Sequence, residues 1–181
     1  LKQNYLVSLL FMRKSKYIFF LLLLLSIEFQ LSAQTTSSFS VVGEVEQTMS
    51  FSLTDIDDFN ASDIKELEIL NHKGEARGTA SQLKGVLVKD LLADMKLKES
   101  NPKLYSEFYF TFAAIDGYKV VFSWNEIFNS PTGDNLYLVT SRDGKSLPEM
   151  EHSILIITTT DYKTGRRHIK GLSQIIVNRV E

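Results

Sequence analysis

The stretch that decides the fold is residues 108–128, which read FYFTFAAIDGYKVVFSWNEIF. Residues 108–115 are dense in aromatic and apolar side chains, a composition typical of a buried β-strand. Asp116-Gly117 predicts a type I′ hairpin turn, because both residue types tolerate the positive φ angles that this turn requires. Residues 118–122 then predict the returning strand. The stretch therefore predicts a β-hairpin with a large apolar surface.

A short helix is predicted directly after this hairpin. Ser123 lies three residues before Glu126, the spacing of a capping box, so we predict a helix over residues 124–129. Neither the hairpin nor the helix carries a recognisable nucleophile motif. We therefore interpret the unit as scaffold.

Outside this unit, the sequence predicts strands more often than helices. Apolar and β-branched runs predict strands at residues 41–45, 49–53, 65–71, 136–140, 153–160 and 168–180. Thr54 predicts a helix N-cap, and the spacing of Val88, Leu91, Leu92 and Met95 predicts an amphipathic helix of about two turns. Because there is no repeat and no strict βαβ alternation, we predict an α+β fold with a mixed β-sheet or open barrel and short helices.

Composition and charge exclude several classes of protein. The chain has 181 residues, a net charge of −2 and a pI near 6.0, which leaves no broad basic field for nucleic acid. Hydrophobic residues make up 44% of the chain, enough for a globular core. The absence of cysteine excludes disulfides, thiolate zinc sites, iron–sulfur clusters, a cysteine nucleophile and a lipoprotein anchor.

The beginning of the chain has the pattern of a secretory signal. Basic residues 13–16 precede the apolar residues 17–25, and the small residues at 31–33 have the character of a cleavage site. We predict that residues 1–33 are a Sec-type signal peptide. The alternative is an uncleaved membrane anchor.

The rest of the chain is the size of one domain. Residues 1–11 precede Met12, which we predict to be the true start, and residues 34–181 form the predicted mature domain. The predicted location is the periplasm or the extracellular space, with no stable membrane span after signal cleavage.

Four stretches resemble those of a known family. Residues 83–92 (LKGVLVKDLL) are similar to its Gly-Val-x-Leu-x-Asp-Leu-Leu helix, and residues 114–118 (AIDGY) resemble its Asp-Gly-Tyr hairpin. Residues 138–147 (LVTSRDGKSL) and 167–177 (RHIKGLSQIIV) are similar to its later strands. The order of these stretches, across residues 41–180, resembles the oxidoreductase molybdopterin-binding domain of the sulfite oxidase type. The resemblance implies that family's mixed-sheet fold.

The sequence departs from this family in the region where the family's molybdenum site lies. The resemblance implies that a cysteine ahead of the Gly-Val helix ligates molybdenum, but residues 70–74 (LNHKG) contain no thiol. The long N-terminal segment that holds the pterin phosphate in larger relatives is also missing. Residues 13–16 lack the paired arginines of twin-arginine export, and a chain exported unfolded would leave its cofactor behind. We therefore expect no cofactor, with molybdopterin as the alternative, and we favour a protein that is not an enzyme.

Two basic clusters are the candidate sites for cofactor or anion contacts. The first lies where the family's chemistry would be, and the second is the densest basic segment of the chain. They consist of His72, Lys73 and Arg77, and of Arg166, Arg167 and His168. Guanidinium groups suit phosphate and sulfate. The alternatives are a solvated loop for the first cluster and a charged hairpin end for the second.

No metal or hydrolytic motif accompanies these clusters. Glu149, Glu151 and His152 combine two carboxylates with an imidazole but match no hydrolytic zinc spacing. The chain has three histidines, none of them four residues from another. We therefore predict no catalytic residue and no metal ligand.

The sequence leads to one favoured function and two alternatives. We predict an exported domain with the sulfite-oxidase-type fold, without molybdenum redox chemistry, that binds a small anionic ligand or a protein partner. The first alternative is an active molybdenum-cofactor oxidoreductase with a non-cysteine ligand set. The second is a structural interaction module of the cell envelope.

Overall fold

The computed structural model describes residues 35–181, which belong to one compact unit. The predicted signal peptide and its cleavage site lie outside the described residues. Within the described range, no helix combines the length and the apolar character needed to cross a membrane.

The first sheet has five strands and contains the hairpin predicted from residues 108–128. Its strands are β1 (Ser38–Gly43), β2 (Met49–Ser52), β7 (Phe108–Ala114), β8 (Lys119–Ser123) and β12 (Leu172–Arg179), in the order β2-β1-β12-β7-β8. Strands β1 and β12 are parallel, and the other neighbours are antiparallel. The sheet is therefore mixed, as the sequence predicts.

A second antiparallel sheet packs into the same core. It consists of β3 (Ser62–Ile64), β6 (Leu83–Leu87), β9 (Leu136–Arg142) and β10 (Lys145–Ser146), with β11 (Leu155–Thr158) also paired to β9. A separate hairpin is formed by β4 (Leu67–Leu70) and β5 (Ala76–Ala80). Strand β5 is exposed except at Ala80, so this hairpin projects as an arm.

The helices of the described chain are short. They are α1 (Leu53–Asp57), α2 (Val88–Leu91) and α3 (Trp124–Phe128), with 3-10 turns at Pro102–Glu107, Gly133–Asn135, Leu147–Glu149 and Thr164–Arg167. Together with the sheets they confirm the predicted α+β class, with mixed β-sheets and short helices.

Aromatic side chains of the decisive hairpin form the centre of the core. Phe108, Phe110, Phe112 and Phe122 are fully buried, and the rings of Phe112 and Phe122 meet edge to face with centroids 5.1 Å apart. Each buried phenylalanine contributes about 2–3 kcal/mol of transfer free energy. The capping box is confirmed as well, since Ser123 and Glu126 exchange their reciprocal hydrogen bonds at the start of α3.

The predicted type I′ turn at Asp116-Gly117 is wrong. Gly117 has a φ of +85°, whereas Asp116 is not in the positive-φ region. The Ala114 N–H donates to the Tyr118 carbonyl (2.9 Å), and the Gly117 N–H donates to the Ala114 carbonyl (3.0 Å). Three residues therefore separate Ala114 from Tyr118, the last paired residues of the hairpin. This loop length favours a type I turn followed by a glycine bulge. The type I′ geometry occurs instead between β9 and β10, at Asp143 (φ 52°) and Gly144 (φ 79°).

Three other local predictions need correction. Ser52, rather than Thr54, caps α1, because its hydroxyl oxygen accepts from the Asp55 N–H. Helix α2 ends after one turn, where Leu91 and Leu92 are already buried. The last strand begins at Leu172 rather than at residue 168, because Gly171 has a φ of +67° and bends the chain into β12.

Candidate anion-binding site

The first predicted cluster lies on the β4–β5 arm. His72 and Lys73 are exposed in its turn, and Arg77 is exposed on β5, with its Nη2 3.6 Å from a Glu75 carboxylate oxygen. Asn71 shapes the turn, because its Oδ1 accepts from the backbone N–H groups of Lys73 (2.9 Å) and Glu75 (3.0 Å). The three predicted residues therefore form an exposed charged tip rather than a pocket.

The arm contacts the 3-10 turn that carries the second cluster. The Lys163 Nζ donates to the His72 carbonyl (2.7 Å). The Thr164 hydroxyl donates to the Glu68 carbonyl (2.7 Å) and accepts from the Leu70 N–H (2.9 Å). Gly165 permits this approach, since a Cβ there would lie 2.6 Å from the Leu70 carbonyl oxygen. The two predicted clusters are therefore neighbours in the fold.

Arg167 is held in an ion-pair cluster that we call the arginine lock, formed by Arg167, Asp161 and Glu126. Its Nε lies 2.8 Å from Asp161 and its Nη1 lies 2.8 Å from Glu126. The guanidinium also stacks on the Phe122 ring, 4.6 Å from the centroid. Hydrogen bonding to Asp161 raises the pKa of Arg167 further above its ordinary value. Because Glu126 also caps α3, the arginine lock joins that helix to the 3-10 turn.

Arg166 and His168 differ from Arg167 although they flank it. Arg166 is exposed, and its carbonyl accepts from the Tyr118 hydroxyl (2.5 Å). His168 is largely buried and lines a hollow of about 220 Å³ with Asp116, Tyr118 and Lys170. The structure therefore does not bring the three residues of this cluster to one site.

A cavity of about 270 Å³ is lined by three separate segments, two of which supply positive charge. We call it the cation pocket. Its lining residues are Arg142, Asp143 and Lys145 of the β9–β10 hairpin, Met150, Glu151 and His152 of the following loop, and Lys170 ahead of β12. Three permanent cations therefore face two carboxylates.

The carboxylates of the cation pocket offset its charge only in part. The Arg142 Nε lies 3.0 Å from Asp143, whose carboxylate also accepts from the Ser81 N–H and hydroxyl. These bonds, the one from the Ser81 N–H first, lower the pKa of Asp143 and keep it ionised. The Lys145 Nζ lies 3.9 Å from Glu151. One positive charge remains in excess.

Two histidine nitrogens in this region are buried without a hydrogen-bond partner among the described residues. They are Nδ1 of His152, in the wall of the cation pocket, and Nε2 of His168. Burial, followed by the charge on Lys170, lowers the pKa of His152. Burial, followed by Lys170 and Arg142, lowers the pKa of His168 to about 4. Both imidazoles are therefore neutral near pH 7.

Backbone hydrogen bonds fix the loop that carries His152. Its carbonyl accepts from the Gly171 N–H (3.2 Å), and the φ of His152 is +68°. The buried Ser153 hydroxyl donates to the Leu147 carbonyl (2.6 Å). Thr36 supports the same loop, since its Oγ1 accepts from the Ile154 N–H (3.0 Å). The backbone on both sides of His152 is thus fixed by hydrogen bonds within the fold.

Among the residues predicted from sequence, only His168 lies next to this region. Sequence reasoning missed Arg142 and Lys145, although the hairpin turn RDGK already places two cations at its ends. The approach of His152 to Lys170 depends on tertiary structure that sequence spacing does not show. The described residues also contain no group of three His, Cys, Asp or Glu side chains placed to hold a metal ion.

The donor set does not fit a thiolate-bound molybdenum cofactor. The sequence has no cysteine, and residues 70–74 comprise the end of β4 and the exposed turn at 72–74. The Asn71 side chain is already used within its own turn. The cation pocket offers guanidinium and ammonium groups, which are suited to hydrogen bonding with anions.

Comparison with known proteins supports the fold. No protein-family model matches the chain, and no curated protein matches it in sequence. Its structure is similar to that of the sulfane dehydrogenase SoxCD from Paracoccus pantotrophus, with a TM-score of 0.57 and 17% identity over 84% of this chain. The likeness covers 41% of that chain. It shows a distant relation of fold alone, in agreement with the predicted α+β class of mixed β-sheets and short helices.

Proposed function

We propose that this domain binds a small anion in the cation pocket and does not perform molybdenum redox chemistry. The observation that supports this most directly is the charge of the cavity, in which Arg142, Lys145 and Lys170 face only two carboxylates. A small anion would balance the excess positive charge, and hydrogen bonds to charged groups are stronger than those between neutral groups.

The chemistry of the cation pocket favours an oxyanion. Arg142 presents a planar fork of donors, whereas Lys145 and Lys170 present point charges. The neutral imidazole of His152 becomes a donor at Nδ1 when that nitrogen carries the proton. The cavity of about 270 Å³ accommodates an anion of the size of sulfate, phosphate or a small carboxylate. The ligand class is therefore a small oxyanion.

The wider function follows from the predicted export. We propose that the domain acts outside the cytoplasm as a binding module, with a protein partner as the alternative ligand. The missing thiolate supports this over an active molybdenum oxidoreductase. Stoichiometric molybdenum and pterin in protein purified from its native envelope would overturn this preference.

Calorimetric titration with sulfate and with phosphate, at low ionic strength and pH 6.5, tests the proposal. We expect saturable binding that weakens about tenfold in Lys170→Gln, because one charged hydrogen-bond donor is lost. Arg166→Gln is the matched control, since it removes an exposed cation four residues away that does not line the pocket. Absence of saturable binding, or equal loss in both variants, would refute the proposal.

A further inference from the structure

A second concave site shares no residue with the cation pocket. This cavity of about 320 Å³ has an aromatic wall formed by Tyr105, Trp124 and Phe128. Its remaining lining residues are Glu46, Leu92, Ala93, Met95, Lys96, Leu97, Glu99 and Ser100. We call it the aromatic pocket.

The aromatic wall is held rigidly. The ring centroids of Tyr105 and Trp124 are 5.5 Å apart, and those of Trp124 and Phe128 are 5.4 Å apart. Phe128 also packs against the core ring of Phe110, at 6.0 Å. Trp124 and Phe128 begin and end α3, whose start is fixed by its capping box. All three wall residues are only half-buried, so π-surface faces the cavity.

The rim of the aromatic pocket carries more negative than positive charge. Glu46 and Glu99 line the cavity together with one ammonium, that of Lys96. A neighbouring hollow, which also includes Glu46 and Lys96, adds Asp94. Three carboxylates therefore accompany a single lysine across the two hollows.

The two carboxylates of the rim differ in their availability. Glu99 accepts from the Asn101 N–H (2.8 Å) and from Arg179 (3.0 Å). The Glu46 side chain takes part in no hydrogen bond or ion pair with the residues that the structure describes, although its backbone N–H donates to the Lys96 carbonyl (2.8 Å). The backbone of Glu46 is therefore fixed beside the cavity, and its exposed carboxylate remains available to a ligand.

We propose that the aromatic pocket binds an organic cation, a quaternary ammonium or a protonated amine. The faces of tryptophan, tyrosine and phenylalanine attract such cations through the ring quadrupole, and tryptophan does so most strongly. Glu46 supplies the opposing charge, and the half-buried side chain of Met95 offers apolar surface to the alkyl groups. A small anion is disfavoured by the same carboxylates. This site is independent of the proposed anion site.

Choline and 3,3-dimethylbutan-1-ol, its uncharged isostere, form the matched pair of probes. Trp124 is the only tryptophan of the chain, so its fluorescence reports on the aromatic pocket without a competing signal. We expect choline to change the emission in a saturable way. The neutral isostere should bind about tenfold more weakly, because it lacks the cation–π and carboxylate attraction.

Two single-charge variants locate the site. Glu46→Gln should weaken choline binding severalfold, whereas Glu44→Gln should leave it unchanged. Glu44 is a suitable control because it lies two residues away, outside the pocket, at 3.9 Å from Lys98. Equal binding of both probes, equal loss in both variants, or no saturable change with choline would each overturn the proposal. None of these outcomes bears on sulfate or phosphate binding at the cation pocket.

Discussion

Arg167 of the arginine lock and Lys170 of the cation pocket lie on the same short segment, but their positive charges have different surroundings. Arg167 and Lys170 are three residues apart, but Arg167 is paired with two carboxylates and an aromatic face. Lys170 instead faces two neutral histidines and Arg142. A dense run of basic residues in a sequence therefore does not reveal which cations are neutralised within the fold and which remain available to a ligand.

The largest expected effect concerns the arginine lock. Arg167→Ala leaves Asp161 and Glu126 without their partner and removes the contact with Phe122. We expect a loss of about 3–4 kcal/mol of unfolding free energy near pH 7, because two partly buried carboxylates lose their cation at once. Urea denaturation measures it. Arg166→Ala, the exposed neighbour, should change stability by less than about 0.5 kcal/mol. Similar losses of stability in Arg167→Ala and Arg166→Ala would show that the ion pairs of Arg167 do not stabilise the fold more than an exposed arginine does.

The second effect is the acid sensitivity conferred by His168. Its pKa in the folded protein is about 4, against about 6.5 in the unfolded chain. Between these values the unfolded state binds the proton and the folded state does not. Stability is therefore full above pH 6.5 and falls by about 3 kcal/mol as the pH drops to 4.

A pH series of denaturation curves in an anion-poor buffer measures this slope. In His168→Gln, the unfolding free energy should fall less steeply between pH 6.5 and pH 4, because glutamine does not titrate. This holds even if the variant is less stable overall. His72→Gln is the control, since His72 is exposed on the arm. An unchanged slope in His168→Gln would show that other groups cause the acid loss.

The smallest expected effect on stability belongs to Lys170→Gln. It removes one of several like charges from the cation pocket, so we expect a change within about 0.5 kcal/mol near pH 7. It should also raise the pKa of His168, because Lys170 is the leading charge that lowers it. The unfolding free energy would then fall less steeply with decreasing pH than in the wild type. A stability loss as large as that of Arg167→Ala would mean that Lys170 is structural and not available to a ligand.

The elements of this fold that could be predicted are those determined by residues close together in the sequence. The apolar stretch of residues 108–115 and the Ser123–Glu126 capping box depend on neighbours in sequence, and both are confirmed. The type I′ turn was placed at the wrong Asp-Gly pair, because turn type depends on the register of the flanking strands. That register is fixed by pairing in the sheet.

The site was less predictable than the fold. The cation pocket joins residues 142–145, 150–152 and 170, and it forms only when β9–β10, the following loop and the entry to β12 meet. Sequence alone also could not show that Arg167 forms ion pairs with Asp161 and Glu126, which lie 6 and 41 residues away along the chain. Of the residues predicted from sequence, His168 lies beside the cation pocket without lining it, and tertiary contacts determine which residues line it.

The place of β12 in the first sheet has a consequence for biosynthesis. This strand lies between β1 and β7 and is the last of the described strands to leave the ribosome. Until residues 172–179 emerge, β1–β2 and β7–β8 can exist only as separate hairpins, and isolated hairpins are at best marginally stable. Pairings this distant in sequence make the closing step slow. The nascent chain therefore stays open until late in translation, a property that the export we propose for this domain would require.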